Sequence, residues 1–290
     1  MGGRDRGETG RRGALVPTPG SEATVPLAPE RRTIARRFDR GARDYARVTP
    51  VQDRMRRRLL AGILRRCRGR APLRILELGC GTGGLTGLLR EALPAARIEA
   101  VDFAPGMIAA ARRAFPDAAD FRVADAECVV REDSARYDLV VSNAAAQWFG
   151  DPASTLRRGI DRLAPGGLLA CATLVHGTFA ELRASFRAAY AAAGRPPREH
   201  TLPLPAIDFW RTRFPDLVCE ETAFTVDYPE VRAFLRAVQR AGASYAPAGS
   251  GPLPRAILRA MTAHYAARYP AVSGAGIRAT YRAAFLYGER

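Results

Sequence analysis

Glu77-Leu78-Gly79-Cys80-Gly81-Thr82-Gly83 closes a short apolar run, Arg74 to Leu78, and leads into a helical pattern from Leu85 to Leu93. Glycine at every second position lets the backbone turn sharply and lets a ligand come where a Cβ would stand. A strand, a glycine turn and a helix form one βα unit, and the chain repeats it. Ile98 to Val101 reads as a second strand, Met107 to Phe115 as a helix, and Phe121 to Ala124 as a third strand. Tyr137 to Ser142 is apolar through its centre, as expected for a strand covered on both faces. Asp151 to Leu163 reads as a helix capped by Asp151 with Pro152 in its first turn, and Pro165-Gly166-Gly167 turns into a fifth strand, Leu168 to Leu174. Such alternation predicts an α/β fold with a doubly wound, mostly parallel sheet.

Outside this repeat the pattern changes. Residues 1–29 are rich in Gly, Pro, Arg and Thr without apolar periodicity and read as a disordered leader ahead of one domain, 30–290. Ile34, Phe38, Tyr45, Val48, Val51, Met55, Leu59 and Ile63 follow a mostly helical spacing, which predicts two N-terminal helices. Beyond Leu174 come helical patterns at Phe179 to Ala193, Val231 to Ala241 and Leu253 to Tyr269, and strands at Ala223 to Val226 and Ile277 to Tyr287, seven strands in all. The segment at about 229–270 is too long for a loop and is expected to be a helical lid inserted before the last strand.

Asp102 stands nineteen residues past Gly83, at the end of the second strand, where a carboxylate accepts both hydroxyls of a ribose. Glu77, two residues before the first glycine, selects among nucleoside ligands: it would repel a pyrophosphate and attract the ammonium group of a methionine tail. The run E-L-G-C-G-T-G, Gly79, Gly81 and Gly83 included, thus resembles motif I of class I methyltransferases, which implies a Rossmann-like fold and S-adenosyl-L-methionine as cofactor. Asp125, Ala126 and Glu127 at the third strand end offer polar groups to an adenine amine, and Phe103 and Met107 offer packing on its ring; each of them also fits ordinary capping or core packing.

Net charge is +16, which would suggest a polyanionic partner. All 45 basic residues are arginine, however, and a wholesale absence of lysine points to compositional bias; no nucleic acid is expected. Fifteen of the arginines fall between Arg31 and Arg70, either a solvated helical face or a docking surface for an acidic partner. Five scattered cysteines without a C-x-x-C pair suggest neither a disulfide framework nor a zinc site and fit a reducing cytoplasm. No run of about 18 apolar residues or secretory hydrophobic segment is present, so neither a membrane span nor export is expected.

After the fourth strand stands Ser142-Asn143-Ala144-Ala145-Ala146-Gln147-Trp148-Phe149, facing the reactive end of the ligand, since ligands bind beyond the carboxyl ends of parallel strands. An N-P-P-Y-like segment is absent, which counts against a nucleobase acceptor. From Ile34 to Arg290 the chain resembles the malonyl-acyl carrier protein O-methyltransferases that begin pimelate assembly in biotin synthesis. The resemblance is carried by F-D-R-G-A-R-D-Y (Phe38 to Tyr45), the glycine motif, S-N-A-A-A-Q-W, T-L-V-H-G-T-F-A-E-L (Thr173 to Leu182), A-G-A-S-Y (Ala241 to Tyr245) and Y-R-A-A-F-L-Y-G (Tyr281 to Gly288). Glu77 and Thr82 stand where some relatives carry Asp and Pro.

The resemblance implies methyl transfer to the free carboxylate of malonyl on acyl carrier protein or on coenzyme A. A malonyl carboxylate, with a pKa of roughly 4, is ionised at neutral pH and needs no general base. His176 and His264 are therefore not assigned catalytic roles. Positioning is expected from Tyr45, Asn143, Gln147 and Trp148; Tyr45 either offers its hydroxyl to the carboxylate or is a half-buried core residue, and Trp148 either walls the pocket or fills an interface. Arg232, Arg236 and Arg240 are candidates for the malonyl carboxylate or the acidic carrier. A carboxyl methyltransferase of the trans-aconitate type, whose members share a similar Q-W run, and an RNA methyltransferase are the alternatives.

Overall fold

A computed structural model of the chain describes residues 29–42, 49–67, 73–241 and 252–290. Among the described residues two helices come first, α1 (Pro29–Gly41) and α2 (Pro50–Arg66). Proline at the first helical position of α2 has no N–H to leave unpaired, and Val51, Met55, Leu59 and Ile63, each four residues on, put a buried stripe against the sheet. Tyr45 and the segment around it lie outside the described residues.

The sheet has seven strands: β1 (Arg74–Leu78), β2 (Arg97–Asp102), β3 (Asp120–Val123), β4 (Tyr137–Asn143), β5 (Leu163–Leu174), β6 (Val218–Tyr228) and β7 (Ile277–Glu289). Their spatial order is β3-β2-β1-β4-β5-β7-β6. The first five pair in parallel, and β7 runs antiparallel between β5 and β6. The predicted doubly wound, mostly parallel architecture is thus observed. Between the strands run α3 (Gly84–Ala92), α4 (Pro105–Ala114), α5 (Ala126–Glu132), α6 (Pro152–Asp161), α7 (Ala180–Ala192), α8 (Ile207–Arg213), α9 (Val231–Arg240) and α10 (Arg255–Arg268).

Successive strand residues face opposite sides, so each central strand feeds two cores. Ile75, Leu139 and Val141 join the cluster under α2, α3, α7 and α10, whereas Leu76, Leu78 and Val140 join the cluster under α5, α6 and α8. Strand order reverses beside β1: the chain moves outward through β2 and β3 and then returns to place β4 on the other side of β1. The loops after β1 and β4 therefore diverge, opening a crevice at the strands' carboxyl ends.

Four elements differ from the sequence reading. Strand β5 begins at Leu163, so Pro165-Gly166-Gly167, expected to turn into it, lies within it. Helix α5 forms where only a strand end was expected, because the Asp125 carboxylate accepts the Glu127 N–H and caps it. Helix α8 was also unanticipated; its seven residues contribute Trp210, fully buried, to the second core cluster. Strand β6 extends well beyond the expected Ala223 to Val226. It is an edge strand held on one side by β7, so its register comes from that partner while Glu220, Glu221 and Asp227 break its apolar alternation. Between β6 and β7 lie α9 and α10, where the lid was expected.

Candidate active site

The glycine turn has the backbone that its composition predicts. Gly79, Gly81 and Gly83 have φ of 76°, 54° and 80°, in the left-handed region. A Cβ on Gly79 would lie 2.3 Å from the Cβ of Ala145, so the β1 and β4 loops touch there. A Cβ on Gly81 would meet no atom of the described residues within 4 Å. Gly83 caps α3 and packs toward Phe115 and Ala111, forming part of the scaffold and not of the cavity wall.

Beside the turn lies a concave cavity, open to solvent at its mouth, of the kind in which small molecules bind. Its floor is Glu77, Gly79 and Gly81; Asp102, Phe103, Met107, Ala124 and Ala126 line one end, and Asn143, Ala144 and Trp148 the other. Most of the residues expected at a nucleoside site thus share one wall. Helix α1 closes over it: Phe38 meets Phe103 and Trp148 edge-on at 6.2 and 5.4 Å, and Asp39 Oδ1 accepts the Gly106 N–H at 2.7 Å.

Asp102 is buried, and its two oxygens accept N–H groups of Gly81 and Ala104, both at 2.9 Å. Each oxygen keeps further lone-pair capacity toward the cavity. Burial pushes the Asp102 carboxyl up to about 6, against the lowering effect of those two hydrogen bonds. Glu77 is more strongly affected. Buried at the base of the turn, it accepts the Thr86 hydroxyl at 2.6 Å, yet burial still raises its carboxyl to about 8. A buried acid so perturbed is stabilised by any cation brought beside it.

Asn143 ends β4 on the cavity wall; its Nδ2 donates to the Gln52 carbonyl at 3.4 Å, and its Oδ1 is buried with no hydrogen-bond partner among the described residues. An orphan acceptor of this kind marks a place where a ligand donor belongs. Gln147, in contrast, holds the loop: its Nε2 donates to the Ala144 carbonyl at 2.7 Å and its Oε1 accepts the Thr173 hydroxyl at 2.9 Å. Ala144 has φ 54°, a strained value for alanine, and Gln147 bonds the carbonyl of that same residue.

Gln147 lines a second, smaller cavity of about 470 Å³, together with Leu174, Thr178, Phe179, Thr201, Leu204 and Ala241. Gln52, Ala144 and Trp148 line both cavities, which therefore adjoin one another at these residues.

Some expected residues stand elsewhere. The Asp125 carboxylate caps α5, and Glu127 accepts the N–H groups of Gly150 and Asp151 and the Thr155 hydroxyl, tying down the loop after β4. Neither lines either cavity, because helix formation turns both side chains back onto the protein's own backbone. Arg232, Arg236 and Arg240 are exposed on α9 and line neither cavity; Arg236 pairs with Glu230. The following residue, Ala241, lines the second cavity. His176 is exposed, and the His264 Nδ1 lies 3.1 Å from the Ser185 hydroxyl, away from both cavities.

Sequence reasoning missed Gln52 and Arg56 on α2, Phe38 on α1, and Thr178 and Thr201 on the far side of the second cavity. Gln52 and Arg56 are four residues apart beside the apolar stripe of α2, but an arginine-rich helix hid the signal. No spacing rule connects Thr201 to Trp148.

A family model described as a methyltransferase domain matches residues 75–167. The malonyl-acyl carrier protein O-methyltransferase of Bacillus cereus is 33% identical over 267 residues, 88% of this chain and 95% of the relative. The protein of the same name from Brevibacillus brevis is 37% identical over 224 residues, 74% of this chain and 81% of the relative. Among solved structures, the YcgJ protein of Bacillus subtilis shares the fold with a TM-score of 0.55 at 14% identity, covering 81% of this chain and 98% of its own.

Proposed function

The chain belongs to the malonyl-acyl carrier protein O-methyltransferase family, and from that premise we propose how its two cavities divide one reaction between them. The enzyme transfers a methyl group from S-adenosylmethionine to the free carboxylate of malonyl-acyl carrier protein, giving the malonyl methyl ester used in biotin synthesis. The observation that carries the assignment of parts is the shared lining at Gln52, Ala144 and Trp148, where the larger cavity adjoins the smaller.

In the larger cavity Asp102 accepts the ribose hydroxyls, Phe103, Met107 and Ala126 flank the adenine, and Glu77 sits beneath the ammonium of the amino-acid tail. The residues fit this group: the turn at Gly81 leaves the space, and the Asn143 Oδ1 lacks a donor that the ligand brings. When bound, S-adenosylmethionine supplies an electrophilic methyl on a sulfonium. The smaller cavity takes the malonyl end, with Trp148 and Gln147 where the cavities adjoin and Thr201 and Ala241 farther out.

Methyl transfer forms a carboxylate oxygen to carbon bond and breaks the carbon to sulfur bond, so a negative and a positive charge cancel. A dry, largely apolar site favours such charge loss, and alignment supplies the rest. No proton moves in this step. Trp148 excludes water, Asn143 and the Gln147-braced loop fix the approach, and α1 covers the cofactor from above.

The carrier would approach over α9, whose exposed Arg232, Arg236 and Arg240 lead to Ala241 at the smaller cavity and suit an acidic protein and its phosphate. Cys80, Cys128, Cys171 and Cys219 stand as free thiols, which supports a reducing, cytoplasmic setting. Among the described residues no helix is long and apolar enough to cross a membrane.

Incubation with S-adenosylmethionine and malonyl-acyl carrier protein should add one methyl to the acyl group as a base-labile ester, read by mass spectrometry of the intact carrier. Ester on a free tricarboxylic acid with none on malonyl-acyl carrier protein or malonyl-coenzyme A would reject the substrate.

A further inference from the structure

The division of roles above gives the cofactor's ammonium a partner in Glu77 and leaves its carboxylate without one. Resting on that reading of the larger cavity, we infer that the Arg56 guanidinium binds the α-carboxylate of S-adenosylmethionine and holds it against the start of α3.

Among the described residues that line the cavity, Arg56 is the cation. It reaches in from α2 and lies over Gly84, so close that a Cβ there would stand 2.3 Å from its Nη1. Gly84 opens α3, and Gly83 in front of it offers no side-chain cap. A helix N-terminus carries partial positive charge and free N–H groups, so an arginine laid on it repels it unless an anion sits between them. One acid is near. The Asp53 Oδ1 lies 2.6 Å from Arg56 Nη2, but the other Asp53 oxygen accepts Arg57 Nε at 3.0 Å, so two guanidinium groups share one carboxylate. Arg56 Nε remains buried with no acceptor among the described residues.

Arg56 and Glu77 are also electrostatically coupled, the arginine opposing the upward push of burial on the acid. An amino acid tail carries its ammonium and its carboxylate on one carbon, so it fits between an acid and a cation standing this close. Of the side chains that could hold the carboxylate, a guanidinium has the fork geometry that matches its two oxygens. Gln52, one turn earlier on α2, receives Asn143 Nδ2 through its carbonyl and fixes the helix to the end of β4. The same helix therefore positions the end of β4 and the tail.

The test compares S-adenosylmethionine with its decarboxylated form, which keeps the sulfonium and the ammonium, by calorimetry on the full-length enzyme. The wild type should bind the decarboxylated form about 10- to 100-fold more weakly, the loss expected for charge-assisted hydrogen bonds. In Arg56→Ala that difference should collapse: affinity for S-adenosylmethionine falls to the level of the decarboxylated form, whose own affinity is unchanged. Arg56→Lys, which keeps the charge without the fork, should fall between. A discrimination ratio unchanged in Arg56→Ala overturns the role of Arg56 while leaving the methyltransferase reading intact. So does an equal loss on both ligands in Arg56→Ala and Arg56→Lys, which would mark a structural role. A wild type that binds neither ligand defeats the cofactor reading itself, and this inference with it.

Discussion

The Thr86 hydroxyl donates to Glu77 Oε2 at 2.6 Å, joining the first turn of α3 to the end of β1 beneath the glycine turn. Both residues are fully buried. One hydroxyl does not replace the water that a carboxylate loses, and Glu77 stays protonated in the empty enzyme well above the ordinary acid range, up to about 8.

The stability of the empty enzyme should therefore depend on pH through Glu77. Its ordinary value of 4.5 is raised in the fold to about 8, so the folded state holds the proton more tightly. The resulting stabilisation is complete below about pH 4.5 and is lost as pH rises through 8. Glu77→Gln, neutral at every pH, should gain on the wild type in melting temperature between pH 5 and pH 9. Parallel melting curves across that range would show that Glu77 is not a buried protonated acid.

Cofactor binding should follow the opposite slope. The tail ammonium favours ionised Glu77, so binding below pH 8 expels a proton. Affinity for S-adenosylhomocysteine should climb from pH 6 to pH 8 in the wild type and stay flat in Glu77→Gln. Calorimetry in two buffers of different ionisation enthalpy measures the proton release directly; its absence would disprove the pairing.

Asp102→Ala should weaken the cofactor by about 3 kcal/mol or more, since two hydrogen bonds to a charged group disappear. It should also destabilise the empty protein, because the Gly81 and Ala104 N–H groups lose their acceptor. Titration and unfolding of the same variant check both effects, and unchanged affinity would place the ribose elsewhere.

Gly79→Ala and Gly81→Ala should separate folding from binding. At Gly79 an added Cβ meets Ala145 at 2.3 Å, so the β1 and β4 loops must part and melting temperature should drop sharply. At Gly81 it meets none of the described residues, and the left-handed backbone costs only about 1 kcal/mol. That variant should fold and bind cofactor poorly. Equal stability of the two proteins would contradict the loop contact.

Trp148→Ala should slow methyl transfer more than it weakens the cofactor. The ring lines both cavities and packs edge-on against Phe38. Its loss admits water and loosens alignment, so kcat should fall about tenfold or more, against a smaller change in cofactor affinity. Steady-state rates beside a binding titration decide between this and a purely structural ring.

Much of the cofactor site was legible because it is local. Glu77, Gly79 and Gly81 lie within five residues, and Asp102, Phe103 and Met107 follow one strand and helix later; βα geometry brings the two strand ends together. Asp125 and Glu127 stood at the right strand end but were taken by backbone N–H groups, one capping α5 and the other bracing the loop at Gly150 and Asp151. A sequence shows that a carboxylate is present but not which donors reach it first. Tyr45 falls outside the described residues.

By itself the sequence determined the alternation of strand and helix, the turn that only glycine can make, and a ligand whose charge suits Glu77, because these depend on neighbours a few residues apart. Tertiary structure alone decided the acceptor side and the closure of the site. Arg56 comes from a helix before the sheet, Phe38 from the helix ahead of it, and Thr201 and Ala241 from segments far beyond β5; they meet Trp148 only because the sheet's helices pack around one crevice. Contacts of that range carry no period in the chain, since what joins them is packing across the fold.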